Sequence, residues 1–208
     1  MYKLYYGPGT AAFAPHMMLE EIGADFELAK VDVSKATPRD PDFLKLNPNG
    51  WVPVLVHDDL VMHESAAIVM YLCDRHPEAG LAPAIGDPLR GRFYQWLLYM
   101  ADKLQIAYQM TFYPERHSTD ASHIPAVVEK AAERLDRVWG YLEKSLEPGP
   151  YLLGEKLSAC DLYVYMLTTW YPLGEVAFLA TVPNVARLAE QVTRRPAVRR
   201  AMTVHVPD

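Results

Sequence analysis

Asn47-Pro48-Asn49-Gly50-Trp51-Val52-Pro53-Val54-Leu55-Val56-His57-Asp58-Asp59-Leu60-Val61-Met62-His63-Glu64-Ser65-Ala66-Ala67-Ile68 carries three changes of pattern. A turn-forming Asn-Pro-Asn-Gly cluster gives way to an apolar run from Val52 to His57. Asp58-Asp59 separates it from a second run, Leu60 to Met62, which is the signature of a tight hairpin. From Glu64 to Arg75 the apolar residues Ala67, Ile68, Tyr71 and Leu72 fall at helical spacing. Upstream, Lys3 to Tyr6 reads as a short strand stopped by Gly7-Pro8-Gly9, Pro15 to Gly23 as a helix and Phe26 to Val33 as a second strand. A short helix, Asp40 to Leu46, precedes the turn. The order β-α-β-loop-β-β-α defines a small α/β domain over residues 1–80 with parallel and antiparallel strands.

Downstream the texture changes. His76 to Pro88 is rich in Pro and Gly, which places a linker at 81–88. Beyond it helical periodicity takes over, in Leu89 to about Arg116, Ile124 to Leu146, Ser158 to Tyr171, Val185 to Arg194 and a last short helix over Arg195 to Arg200. The expected second domain, 89–208, is all-helical. Ser158 and Asp161 form the Asp variant of a capping box at the head of a very apolar helix, Leu162 to Leu167, which belongs at the centre of that domain.

The chain has 208 residues, enough to bury roughly 70% of its unfolded surface without disulfides or a structural metal. With 26 acidic against 20 basic side chains its net charge is -6, which argues against nucleic acid or an anionic membrane as partner. Cys73 and Cys160 sit in apolar helical contexts, as buried thiols of a reducing compartment do. No apolar stretch approaches 18 residues, and the start of the chain lacks a secretory pattern, so a cytoplasmic protein is expected. The seven histidines show no metal spacing, and Gly7, Gly9 and Gly50 no phosphate-cradling pattern, so neither a metal nor a nucleotide is expected.

Three segments together, Lys3-Leu4-Tyr5-Tyr6-Gly7-Pro8-Gly9 with Ala14-Pro15-His16, Asn49-Gly50-Trp51-Val52-Pro53-Val54 and Glu64-Ser65-Ala66-Ala67-Ile68, joined by Leu157-Ser158-Ala159-Cys160-Asp161, resemble the cytosolic glutathione transferase superfamily, its bacterial branches above all. The resemblance spans nearly the whole chain. It implies a thioredoxin-like N-terminal domain that binds glutathione as co-substrate, a helical C-terminal domain that lines a pocket for a small hydrophobic electrophile, and a homodimer.

Residue by residue, Pro53 on its own reads as the first residue of a strand or an edge position. By resemblance the Val52-Pro53 bond is cis and the Val52 main chain pairs with the cysteinyl backbone of glutathione like an added strand. Ser65 alone reads as the start of a helix; the resemblance makes it hold the γ-glutamyl carboxylate, with Glu64 at the ammonium end. Lys35 fits the family's partner for the glycine carboxylate. Trp51 stands where many relatives carry a polar donor, and its indole donates one hydrogen bond.

A thiolate requires a donor just after the first strand. Bacterial relatives usually carry Cys-Ser where this chain has Ala11-Ala12, and that loss argues against glutaredoxin-like exchange. Thr10 is the narrow first choice, Tyr6 the second, and a main-chain N–H of Ala11 or Ala12 the third. The electrophile pocket is expected from Phe13, Gln105, Tyr108, Gln109, Phe112, Met166 and Trp170, aromatic side chains with polar handles. Two readings stay open: an enzyme that adds glutathione to an electrophile, or a non-catalytic glutathione-binding protein of the same fold.

Overall fold

A computed structural model describes residues 1–34 and 39–206. Their contacts divide into two units, one formed by Met1–Ala82 with the segment from Gln191 onward, the other by Pro83–Glu190.

The first unit is built on β1 (Tyr2–Tyr6), β2 (Phe26–Lys30), β3 (Val54–His57) and β4 (Leu60–His63), in the order β2-β1-β3-β4. Strands β1 and β2 are parallel, Tyr2 opposite Phe26, because helix α1 (Phe13–Ile22) makes the crossover between them. Gly23, at φ 65°, ends that helix and returns its N–H to the carbonyls of Glu20 and Leu19. The other two pairings are antiparallel, with Tyr5 opposite Val54 and Val54 opposite His63. The expected hairpin therefore forms, turning at Asp58-Asp59. Helix α2 (Pro41–Leu46) is capped by Asp40, which accepts from the Asp42 N–H at 2.8 Å. Helix α3 (Ser65–Arg75) buries Ile68, Val69, Leu72 and Cys73, whose i, i+3, i+4 spacing makes one apolar face.

The second unit is helical: α4 (Pro88–Tyr99), α5 (Gln105–Phe112), α6 (Ile124–Ser145), α7 (Ala159–Thr168), α8 (Glu175–Leu179) and most of α9 (Pro183–Thr193). Every residue of α7 is buried. Asp161 at its head accepts from the Leu152 N–H at 2.9 Å, the Ser158 N–H at 2.7 Å and the Ser158 hydroxyl at 2.8 Å. Full burial nevertheless pushes its carboxyl up to about 6.

The structure departs from the sequence-based expectation in three places. The helix expected over Leu89 to Arg116 is interrupted by one π-helical segment, Met100–Leu104, and stops at Phe112, because Tyr113 precedes a proline and leaves helical geometry. Helix α8 has no counterpart in the sequence reading. The last helix, α10 (Pro196–His205), runs past Arg200 and belongs with the first unit, not with 89–208. It buries Ala197, Val198, Ala201 and His205. Arg195, which precedes α10, meets Glu21 of α1 through two bonds of 2.6 and 2.5 Å, and Arg200 meets Glu20 at 2.6 Å. No described helix is long and apolar enough to cross a membrane.

Candidate functional site

The turn before β3 is organised by Asn47, 2% exposed, whose amide donates to the Trp51 carbonyl at 2.8 Å and accepts from the Asn49 N–H at 3.1 Å. Arg39 ties the neighbouring loops together, donating to Gly50 O at 2.9 Å and to the carbonyls of Asp32, Val33 and Ser34. The Val52-Pro53 bond is cis. Among the described residues, neither the N–H nor the carbonyl of Val52 has a hydrogen-bond partner. The β3–β4 pairing ends at Val54 and His63, next to the cis Val52-Pro53 bond on one strand and the junction with α3 on the other. Trp51 is 46% exposed, and Lys35 lies outside the described residues.

Glu64 links β4 to α3 at φ 73°, a left-handed conformation that costs a non-glycine residue about 1–3 kcal/mol and clusters at ligand sites. Ser65 is buried, and its hydroxyl donates to the Ala11 carbonyl at 2.7 Å. The site of the strand-to-helix junction is thereby joined to the loop between β1 and α1.

That loop uses most of its own donors. The Thr10 hydroxyl donates to Gly7 O at 2.7 Å and accepts from the Ala12 N–H at 3.3 Å, while the Phe13 N–H bonds to Thr10 O at 3.1 Å. Thr10 thus serves the turn, and the proton sought for a sulfur is already on Gly7 O. A Cβ at Gly7 would sit 2.9 Å from a Val33 methyl, so a larger residue there requires that side chain to shift. The Gly9 N–H donates to the His205 carbonyl at 3.1 Å. The Ala11 N–H, at the positive end of α1, has no partner among the described residues. Tyr6 is half-buried, with its ring 5.4 Å from that of His205 and its hydroxyl unbonded among the described residues.

Beside the loop lie two buried imidazoles, His16 and His205, with centroids 5.3 Å apart. Burial holds them neutral, His16 lowered to about 4 and His205 to about 3. Neither ring nitrogen of His205 has a hydrogen-bond partner among the described residues.

Several residues expected to line the electrophile pocket are packed instead. Phe13, 1% exposed, stacks on His205 at 5.0 Å. Tyr108, also 1% exposed, donates to Leu167 O at 2.9 Å and accepts from Trp139 Nε1 at 3.1 Å, and Met166 is fully buried. All three are buried among their neighbours. In the helical unit Gln105, Gln109, Phe112 and Trp170 keep some exposure. Tyr163 donates its hydroxyl to Gln105 Oε1 at 2.6 Å, which fixes the orientation of that amide. Asn47, Arg39 and His205 were not singled out from the sequence; the Asn-Pro-Asn-Gly turn was the only available signal, and it pointed to Asn47. Among the described residues no group of His, Cys, Asp or Glu is arranged to hold a metal ion.

A thioredoxin-like α/β unit followed by a helical unit is the architecture that the sequence resemblance implied. Comparison with known proteins agrees. Residues 1–74 match the family "Glutathione S-transferase, N-terminal domain" and residues 94–196 the family "Glutathione S-transferase, C-terminal domain". A glutathione transferase from Methylococcus capsulatus is 34% identical, with 98% of each chain covered and a TM-score of 0.81. A glutathione transferase homologue from Sulfitobacter, solved with bound glutathione, is 27% identical over 98% of this chain and 97% of that one, with a TM-score of 0.87. Glutathione S-transferase GstA of Escherichia coli O157:H7 is 28% identical over 97% of each chain. The chain belongs to the cytosolic glutathione transferase superfamily and is related to its bacterial members.

Proposed function

We propose that the protein is a glutathione transferase that binds glutathione on its N-terminal unit and holds the sulfur as a thiolate for attack on a small hydrophobic electrophile. The observation that carries the reading is the main chain of Val52, before a cis proline and without a partner among the described residues. An extended peptide can pair with Val52 as an added strand while its carboxylate meets the Ser65 N–H at the positive start of α3. The glutathione bound to the Sulfitobacter homologue supports the same ligand here. Glu64 is assigned to the ammonium end of the γ-glutamyl group, and Lys35 with Trp51 to the glycine end.

Lowering a thiol pKa from about 8.5 by two units requires about 2.7 kcal/mol in favour of the anion. A charge-assisted hydrogen bond contributes about 1.5–3 kcal/mol and a helix N-terminus about 0.3–1. The free Ala11 N–H at the head of α1 supplies both, so the alanine pair does not remove thiolate stabilisation. Thr10 shapes the loop and contributes its own hydroxyl only by leaving Gly7 O; Tyr6 is the remaining side-chain donor. The thiolate then attacks an electrophilic carbon, forming the C–S bond as a leaving group departs with its electron pair or as an adduct takes up a proton. In the helical unit, Gln105, Gln109, Phe112 and Trp170 are assigned to the electrophile. A homodimer is carried forward on the resemblance.

The second reading, binding without catalysis, draws on Ala11-Ala12 and on the committed Thr10 hydroxyl. Ultraviolet titration of the bound thiol separates the two. The enzyme reading expects thiolate absorbance below about pH 7 and conjugation of a nitroaryl halide above background; absence of both leaves binding alone. Thr10→Ala and Tyr6→Phe then assign the donor, since thiolate retained in each leaves the Ala11 N–H.

A further inference from the structure

We propose that the last turn of α10 is a clasp on the Gly7–Ala12 loop, with His205 as a positioning residue for the thiolate donor. The inference rests on the reading above for its consequence, though not for its geometry. The loop is pinned on both sides of the Thr10–Ala11 peptide: the Gly9 N–H is held by the His205 carbonyl at 3.1 Å, and the Ala11 carbonyl by the Ser65 hydroxyl at 2.7 Å. Between these two points stands the unpartnered Ala11 N–H, whose direction is set by the peptide they bracket. One pin comes from the helix that begins the glutathione grip. The other comes from a residue almost two hundred positions away in the chain.

The His205 carbonyl is itself held in place. Its ring is 2% exposed, stacks on Phe13 with an interplanar angle of 18° and lies within ring-contact distance of Tyr6 and His16. Because neither ring nitrogen has a hydrogen-bond partner among the described residues, the ring is held there by contact and not by hydrogen bonds. The two arginine–glutamate pairs described above fix the rest of α10 along α1. Gly9, at φ 67°, adopts a conformation that costs glycine nothing and leaves the loop without stiffness of its own at that point. Its shape therefore depends on the clasp.

The test compares His205→Ala, His205→Phe and Val198→Ala, the last removing buried volume from the same helix while keeping the clasp. In the ligand-free protein, hydrogen exchange at the Gly9 amide is expected to quicken about fivefold or more in His205→Ala, the net worth of one hydrogen bond. With glutathione bound, the thiol midpoint is expected to rise by about half a unit and the conjugation kcat at mildly acidic pH to fall about threefold. The glutathione Kd is expected to stay within about twofold, since Val52 and Ser65 are untouched. His205→Phe, which keeps the stack, is expected to behave as the unmodified protein. The proposal is overturned if Gly9 protection is unchanged in His205→Ala, if Val198→Ala with an equal loss of Tm moves the thiol midpoint as far, or if the Phe variant behaves like the Ala variant. Failure of the unmodified protein to bind glutathione would overturn the functional reading instead, and the positioning role with it; the Gly9 exchange still decides whether the clasp exists.

Discussion

Replacing Ser65 by alanine tests how the helix start grips a ligand, because its single hydroxyl proton is already in use. In the free protein that proton lies on the Ala11 carbonyl at 2.7 Å, in a side chain only 5% exposed. Removing it strands a half-buried carbonyl, for which about 1 kcal/mol is a fair charge. In a chain of this size that corresponds to a Tm lower by about 2–4 °C. A bound carboxylate draws the proton away from Ala11, so binding gains a charge-assisted bond of about 1.5–3 kcal/mol and loses a neutral one of about 1. The difference is about 0.5–2 kcal/mol, a glutathione Kd weaker by roughly 2- to 30-fold. The larger loss expected of a hydroxyl that waits unbonded for its ligand does not apply. Calorimetric titration with glutathione, beside a thermal melt of each free protein, measures both quantities. A Kd weakened more than about a hundredfold with Tm unmoved would refute the reasoning, since it would mean the proton was never committed to Ala11. So would a variant unchanged in both measurements.

The two buried imidazoles make stability depend on pH in a definite direction. Their folded values, about 4 for His16 and about 3 for His205, lie below the ordinary 6.5, so on acidification the unfolded chain binds protons that the folded one refuses. Their contribution is complete above about pH 6.5 and is lost as the pH falls through about 4 for His16 and about 3 for His205, at up to ~1.4 kcal/mol per pH unit for each histidine. Urea midpoints across that window should show this slope, roughly halved in His205→Phe; a flat profile would contradict it. Tyr108→Phe should cost about 2–4 kcal/mol in denaturant titration by orphaning Leu167 O and the Trp139 N–H, with activity per folded molecule retained. Loss of activity without loss of stability would return Tyr108 to the pocket. At Glu64, whose φ is 73°, glycine should be more stable than alanine by about 1 kcal/mol while both weaken glutathione binding alike. Equal stability would mean that the backbone there is unstrained.

Much of this was legible in the residues themselves. Local signals do their work within a few positions: Asp58-Asp59 turns a hairpin, Gly23 ends a helix, and Ser158 with Asp161 heads the buried one. What escaped is non-local. Nothing near Ser65 announces that its hydroxyl will be given to Ala11, and nothing near His205 announces that it will close over Gly9. The burial of Tyr108 went unannounced for a related reason. A tyrosine at helical spacing looks the same whether its hydroxyl faces a pocket or, as here, sits between Leu167 and Trp139. The break at Met100–Leu104 falls in a stretch with neither proline nor glycine, so composition carried no warning of it.

The alanine pair changes what a substitution in this loop can mean. When a side chain supplies the donor, truncating it removes one interaction and leaves the backbone standing. Here most hydrogen bonds of Gly7–Phe13 are internal to the fold: the Thr10 hydroxyl accepts from Ala12 N–H and donates to Gly7 O, Gly9 is held by α10, Phe13 N–H returns to Thr10 O, and the Ala11 N–H at the head of α1 is without a partner among the described residues. Truncating Thr10 therefore removes two bonds that shape the turn before it removes any group aimed at a sulfur. A modest loss in Thr10→Ala is what a shaped main-chain donor implies, and a loss near the full 2.7 kcal/mol would assign the thiolate to the hydroxyl itself. The size of the effect, not its existence, carries the information, because a loop whose chemistry lies in its backbone can be altered only by moving that backbone.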